Sequence, residues 1–447
     1  PVHRINAPVD VHFRVRNSSD ENLNDLIVRL SVNGNEPGPK RISIPANSYI
    51  DESITFTDRT AGIKQGQLKV ETGQLFFDDS FYFTYTIKEN VDILIVTGQN
   101  DPTVNLEQLY GLDDYYNATT TAIDKVVQDD FDQKELVLIQ NVNKIPSGIM
   151  ELLDATMDNG GTVVLIPGTD IDRSSWNSYL GRHQLPLLGN KDTSNVELSY
   201  FNSDDPLYTG VFEQDPSGYK NPNLFTRYRL GISNNQNFIS LFGLNQQVPY
   251  LLYSQKGNGK VVLLSAPLTS EFTNFQNHAL FAATFLRIAE TASFQKPLYM
   301  TIGQMTNFPL QTAVSEKNPI HLINEKLKVD VIPMLVNIGN SNAISFSHLE
   351  DAIGAADFYQ LTDKNKFNET IALNYNRLES YIESFTKEEV KEAFSNIGWK
   401  NAKAFELTDN GKVQINQLKA TEYWRILLIL GLIFIAIEIA LLKFWKS

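Results

Sequence analysis

Seventeen consecutive residues, Ile426–Leu442, carry a single charge, Glu438, and their Leu and Ile side chains fall on every face a helix could present. A core helix would confine its apolar residues to one stripe. Seventeen residues rise about 25 Å as a helix, and the aromatic flanks extend this to the thickness of a bilayer core. Tyr423 and Trp424 stand at one edge and Trp445 at the other, where amphipathic rings favour the membrane–water interface. Residues 421–447 are therefore expected to form a transmembrane anchor with a short tail, meeting the lipid bilayer through 424–445. Lys443 and Lys446 lie toward that tail. A short basic tail stays cytoplasmic, whereas a long domain translocates whatever its charge, so the bulk is expected outside the cytoplasm. The chain starts at Pro1 without a basic-then-apolar export signal. An upstream membrane segment missing from this sequence is expected, in preference to a cleaved signal peptide.

The remainder must fold in water, and its composition narrows the choices. Thirty-eight Lys and Arg against 52 Asp and Glu leave a formal charge of −14. Sequence-independent nucleic-acid binding needs a dense cationic surface, so no nucleic acid is expected as a partner. The absence of cysteine excludes disulfides, thiolate zinc sites and a cysteine nucleophile.

Hydrophobic periodicity divides the body. Val11, Phe13 and Val15 alternate with His12, Arg14 and Arg16, and Leu26, Val28, Leu30 and Val32 repeat the period before the turn Asn33-Gly34. Further strands are expected around Lys40–Ile44, Ser53–Thr57, Gly66–Glu71 and Ser80–Ile87, so residues 1–90 read as an immunoglobulin-like β-sandwich. From Val91 the pattern changes to apolar runs suited to strands buried on both faces: 91–96, 135–139 and 162–166. Between them lie a polar helical stretch with Leu106, Leu109, Tyr110 and Leu112, and a helix opened by Pro146 with Ile149, Leu152, Leu153 and Met157. Residues 169–250 read as an elaborated insertion. Strands at 250–253 and 261–264 and a helix from about Phe275 to Thr291 complete an α/β open sheet over 91–292. Residues 293–383 read as a small β module, with strands at 329–336 and 370–373. Over 384–420 a helix, opened by a Thr386–Glu389 capping box, leads into a linker.

Ligands of open α/β sheets bind beyond the carboxyl ends of the strands. Here those ends are 98–101, 140–141, 167–170 and 265–267, which supply Asp101 and Asp170 but no histidine. No phosphate-cradling glycine motif and no G-x-S-x-G elbow occurs. His278 with Glu271 is the one pairing that could serve as base and orienter, and a capping role for His278 is favoured. The six histidines share no metal-ligand spacing, and Asp78-Asp79 and Asp113-Asp114 read as solvated turns rather than calcium sites. Catalytic, cofactor and metal residues are accordingly expected to be none. Glu438 stands out as an intramembrane charge, suited either to a partner helix or to reaching toward the interface near Lys443.

Several local patterns resemble a known family. They are Phe77-Asp78-Asp79-Ser80-Phe81-Tyr82-Phe83 leading to 91–96, Gly259-Lys260-Val261-Val262 with Ser265-Ala266-Pro267-Leu268, and Asn277-His278-Ala279-Leu280-Phe281. Ile371-Ala372-Leu373-Asn374 with Leu378-Glu379-Ser380, and Glu422-Tyr423-Trp424-Arg425, complete the set. Together they resemble the BatA-domain, aerotolerance-type membrane proteins of the Bacteroidota over most of residues 8–447. Members typically carry a double membrane segment upstream, which this sequence lacks. The resemblance implies a central domain like the class I glutamine amidotransferases, whose enzymes place a Cys nucleophile at the turn after a strand. The matching turn here reads Gly168-Thr169-Asp170, so an inactive descendant is expected. It further implies residence in the bacterial inner membrane with a periplasmic bulk and a cytoplasmic tail. Other Bat-type envelope membrane proteins are the implied partners, with a MoxR-type ATPase system indirectly. The expected function is that of a non-enzymatic, membrane-anchored scaffold or assembly subunit, the alternative being a periplasmic sensor binding a small ligand in the α/β crevice.

Overall fold

The computed structural model describes the chain except for residues 1, 72–78, 99–104, 213–219, 235, 258, 294–295, 305–306, 311–317, 339–340, 348, 350–351, 366, 378–386, 398, 400–422 and 445–447. The chain is multidomain and mostly β with some helices. Residues 1–380 form one compact unit and residues 381–447 a second.

The alternating runs at the start become two facing sheets. One has five strands in the order Val2–Arg4, Ser80–Lys88, Gly62–Glu71, Leu23–Val32, Lys40–Ile44; the other pairs Pro8–Asn17 with Ser48–Thr57. Period two carries Val28, Leu30 and Val32 into a shared core with Val9, Ile44, Phe83 and Ile87. Val11, Phe13 and Val15 pack against it half-buried. Asn33 and Gly34 have φ of 47° and 81°, and Val32 and Asn35 exchange two backbone hydrogen bonds of 2.8 Å across them. This two-residue turn needs left-handed backbone at both positions, which Asn and Gly tolerate.

The apolar runs build an eight-stranded sheet. Its order is Tyr200–Phe201, Ile239–Asn245, Val248–Lys256, Gly259–Leu264, Thr162–Pro167, Leu136–Val142, Val91–Thr97, Tyr116–Ala122, and the last five strands are parallel. Helices cover both faces, so neighbouring residues of one strand feed different cores. Ile93 and Ile95 pack toward helix Ala279–Glu290, whereas Leu94 and Val96 pack toward helices Ser147–Asp158 and Arg173–Arg182. The face read for the last helix holds: Leu280, Phe281, Thr284, Phe285 and Ile288 are all buried.

Two readings need correction, those of Leu112 and of 329–336, and two stretches hold elements that the sequence did not reveal. Helix Asn105–Tyr110 stops before Leu112, which is 83% exposed, because the chain turns at Gly111. The segment 169–250 holds regular structure: helix Arg173–Arg182, a pairing of Leu187–Asp192 with Arg227–Gly231, and strand Ile239–Asn245 within the main sheet. Strand Tyr116–Ala122 went unread, its Thr-rich run being the exposed edge of the parallel array. Finally, 329–336 is two strands. Val329–Val331 joins one sheet and Met334–Ile338 another, since Pro333 lacks the N–H that a continuous ladder would use. The Thr386–Glu389 capping box and the 400–420 linker lie outside the described residues, wholly or in part.

The third module stacks a five-stranded sheet on a three-stranded one around Phe308, Leu322, Ile344, Tyr359 and Ile371. Its last strand, Asn368–Asn374, reaches the first module. Asn374 is 2% exposed; its amide accepts from the Tyr82 N–H (2.8 Å) and donates to the Tyr82 carbonyl (2.7 Å). Beside it, the Thr84 N–H donates to the Leu298 carbonyl at 2.7 Å. At the other end of the same strand, Lys88 donates to the Glu135 carboxylate and to Ser293 Oγ, tying the first module to the α/β sheet.

In the second unit, the described residues form helix Lys387–Asn396 and helix Tyr423–Phe444. The latter is apolar, with a mean hydropathy of 2.7 and none of it buried, and it is long enough to cross a membrane.

Candidate functional site

The parallel strands reverse their order between Val91–Thr97 and Leu136–Val142, and a doubly wound sheet offers its ligand crevice there, beyond the carboxyl ends. Gly98 lies at this point. Its N–H donates to the Gln140 carbonyl at 3.2 Å, and a Cβ would come within 2.4 Å of the Asn141 carbonyl oxygen. Asn141 itself adopts φ of 52°. The two strand ends are thus pressed together, and only glycine fits at 98. Asp101 lies outside the described residues.

The next position along, the turn after Thr162–Pro167, is filled. Gly168 passes so close to Asn143 that a Cβ would sit within 2.1 Å of Oδ1. The Tyr228 hydroxyl donates to the Gly168 carbonyl (2.8 Å), has the Thr169 carbonyl at 3.0 Å, and accepts from the Ile171 N–H at 3.4 Å. Burial pushes that phenol up to about 12, so it remains a donor. Beneath, the fully buried Trp176 donates Nε1–H to the Val142 carbonyl at 3.1 Å. Asp172 accepts from the Ser174 and Ser175 N–H groups, starting the helix that carries Trp176. Asp170 faces solvent with its side chain 91% exposed, and its neighbour is Lys191 at 3.5 Å. Ser265 and Ala266, at the end of Gly259–Leu264, are fully buried.

The structure does not bring His278 and Glu271 together as a base and its orienter. His278 caps helix Ala279–Glu290: Nδ1 accepts from the Leu280 N–H at 3.2 Å, and Nε2 donates to the Lys220 carbonyl at 2.6 Å. Both ring nitrogens are therefore in use. Glu271 is exposed. Asp113 forms a bidentate pair with Arg4 (2.5 and 2.8 Å), which holds its carboxyl below the usual range. Asp78 lies outside the described residues. Among the described residues, no three His, Asp or Glu side chains gather as a metal site requires. An open cleft of about 550 Å³ runs beside Arg4, Glu89, Asp114 and Tyr115, where the first module meets the α/β body.

Sequence reasoning missed Tyr228, Trp176 and His183. A Trp176, Tyr179, Leu180 spacing of three and four after Asp172 was the available signal for the helix. His183 follows that helix, is 8% exposed, and contacts Asp154 through Nε2 at 2.8 Å. Burial lowers its pKa below 6.5 against the pull of Asp154. The native state thus holds a neutral imidazole that the unfolded chain protonates first, so stability is full above about pH 6.5 and declines as pH falls below it. Urea midpoints measured at pH 7.5 and 5.5 should fall in the native sequence, and His183→Gln should flatten the difference.

No family model matches the chain, and no curated protein sequence does. Among solved structures, a cytoplasmic protein of Salmonella typhimurium aligns over 53% of this chain and 96% of its own, at 12% identity and a TM-score of 0.34. A ThuA-like protein from Bacteroides uniformis aligns over 44% and 89%, at 12% identity and a TM-score of 0.32. The CARDB domain of a Pyrococcus furiosus protein aligns over 20% and 86%, at 15% identity and a TM-score of 0.19. Likenesses this faint carry no argument about activity.

Proposed function

We propose that the protein is a non-enzymatic scaffold or assembly subunit of a bacterial envelope complex, held in the inner membrane by helix Tyr423–Phe444. In this reading the bulk is periplasmic and the residues after the helix are cytoplasmic. The first module is an immunoglobulin-like spacer, and the α/β body is an inactive relative of the amidotransferase fold. Bat-type envelope membrane proteins are its partners, and a MoxR-type ATPase system acts with it indirectly.

The observation that carries the proposal is the use of Tyr228 to seal the turn at 168–171, where a nucleophile would have to stand exposed. The groups that chemistry would recruit are spent on structure: His278 on a helix cap, Asp113 on an ion pair. The ligand-sensing alternative has less to stand on, because Asp170 points to solvent and neither Gly98 nor Gly168 leaves room for a side chain.

The test is a mild-detergent pull-down of the tagged full-length protein from native membranes, followed by mass spectrometry. Stoichiometric envelope proteins are expected to co-purify. A clean monomer with no partner at any detergent strength would overturn the reading.

A further inference from the structure

Glu438 is the one charge between Ile426 and Leu442, and the helix that carries it has no buried residue. Removing a carboxylate from water without a partner is costly, so such residues in membrane spans face a partner or a polar path. The helix itself supplies no partner. Successive residues turn by about 100°, which places Lys443, five residues on, roughly 140° around the axis from Glu438. Side chains meet at spacings of three and four, not five. Arg425, thirteen residues back, lies on that same remote stripe by the same arithmetic.

The stripe that does contain Glu438 has a different character. Gly431 stands seven residues before it, within roughly 20° around the axis, and Leu427, Phe434 and Leu442 flank the pair within about 40°. A Cβ built on Gly431 meets nothing within 4 Å, so the backbone there is bare. Small residues in membrane spans let a second helix approach closely, and the bulky neighbours give it van der Waals contact. This stripe therefore combines close approach with one uncompensated negative charge, and no cation lies on it.

We infer that the Glu438–Gly431 face docks a transmembrane helix of a different protein, one that carries a Lys or Arg at the depth of Glu438. Charge complementarity selects this occupant. A second copy of the chain in parallel would set carboxylate against carboxylate, whereas a basic helix offsets both charges in one contact. The inference rests on the membrane-scaffold reading and names the kind of partner that scaffold holds within the bilayer.

The test uses the full-length protein in native membranes, with a photoreactive amino acid at Phe434, about 40° around the axis from Glu438, or at Ile433, about 140° from it. Phe434 should give an adduct with another protein, at least ten-fold above the yield from Ile433. The crosslinked peptide should come from a membrane span containing Lys or Arg. Glu438→Gln keeps the shape and removes the charge, and should cut the adduct about ten-fold; Glu438→Lys should abolish it. Equal yields at the two positions, an adduct of twice the chain mass, a partner span lacking a basic residue, or an adduct indifferent to Glu438→Gln would each overturn the inference. Pull-downs of the Glu438→Gln protein separate the two readings. Envelope partners retained through the body leave the scaffold standing without this contact, whereas their absence from the native protein as well removes the scaffold.

Discussion

Trp176→Ala is expected to destabilise the α/β body by about 4–5 kcal/mol, the largest effect of any single change considered. Truncating a fully buried aromatic to alanine costs roughly 3–5 kcal/mol through lost burial and the cavity left behind. The Val142 carbonyl also loses its indole donor, which adds about 1 kcal/mol. Domains of this kind hold only about 5–15 kcal/mol in total, so the variant stands near its unfolding threshold at ambient temperature. Trp176→Phe, which keeps most of the ring but not the N–H, should lose about 2 kcal/mol. Urea denaturation followed by far-ultraviolet circular dichroism measures both. The remaining tryptophans, Trp399, Trp424 and Trp445, all lie beyond residue 380, so Trp176 is the only one in residues 1–380. A loss below 1 kcal/mol for Trp176→Ala would mean that the turn at 168–171 is held by other contacts.

Asn374→Ala should cost about 2–4 kcal/mol and act at a distance from the α/β sheet. The substitution removes two hydrogen bonds at once and leaves both backbone groups of Tyr82 without their partner. Each unsatisfied group contributes roughly 1–3 kcal/mol, at the low end here because Tyr82 is half-buried. Asn374→Asp is a sharper probe. A carboxylate still accepts from the Tyr82 N–H but sets a negative oxygen against its carbonyl, so it should do no better than alanine. Hydrogen exchange at the Tyr82 amide is the discriminating readout: it should accelerate at least ten-fold in Asn374→Ala, and less in Asn374→Asp, while amides of Leu136–Val142 keep their protection. Unchanged exchange would show that the two β modules hold together without this amide.

These two residues also show where sequence reasoning succeeds and where it stops. Strands 91–97, 136–142 and 162–167 were legible because burial on both faces demands an unbroken apolar run, and local composition records that demand directly. Helix Arg173–Arg182 was only faintly legible, in the spacing of Trp176, Tyr179 and Leu180 after Asp172. Its Ser, Asn and Gly content gives weak helix propensity, and it stands on the Asp172 cap and on Trp176 packing beneath a distant strand. The break at Pro333 was available in principle, but the flanking Val331, Ile332, Met334 and Leu335 masked it with a continuous apolar signal. For the candidate site, a cap for His278 follows from its place just before a helical run. Tyr228 sealing a turn about 60 residues earlier has no local signature, because the contact exists only once strand Arg227–Gly231 is in register. The Asn374–Tyr82 contact is invisible for the same reason, at a separation of 292 residues.

That separation has a consequence for how the protein is made. Ribosomes add roughly 5–20 residues per second, so about 15–60 s pass between the emergence of Tyr82 and that of Asn374. During this interval the stretch of strand Ser80–Lys88 around Tyr82 and Thr84 offers open hydrogen-bonding groups, because Asn374 and Leu298, which later satisfy them, are not yet synthesised. An open strand edge recruits other strands, including those of neighbouring nascent chains. If the α/β body folds as it emerges, it does so between the two halves of a clasp whose second half is made last, and slower translation through residues 91–374 is expected to lower the yield of native protein.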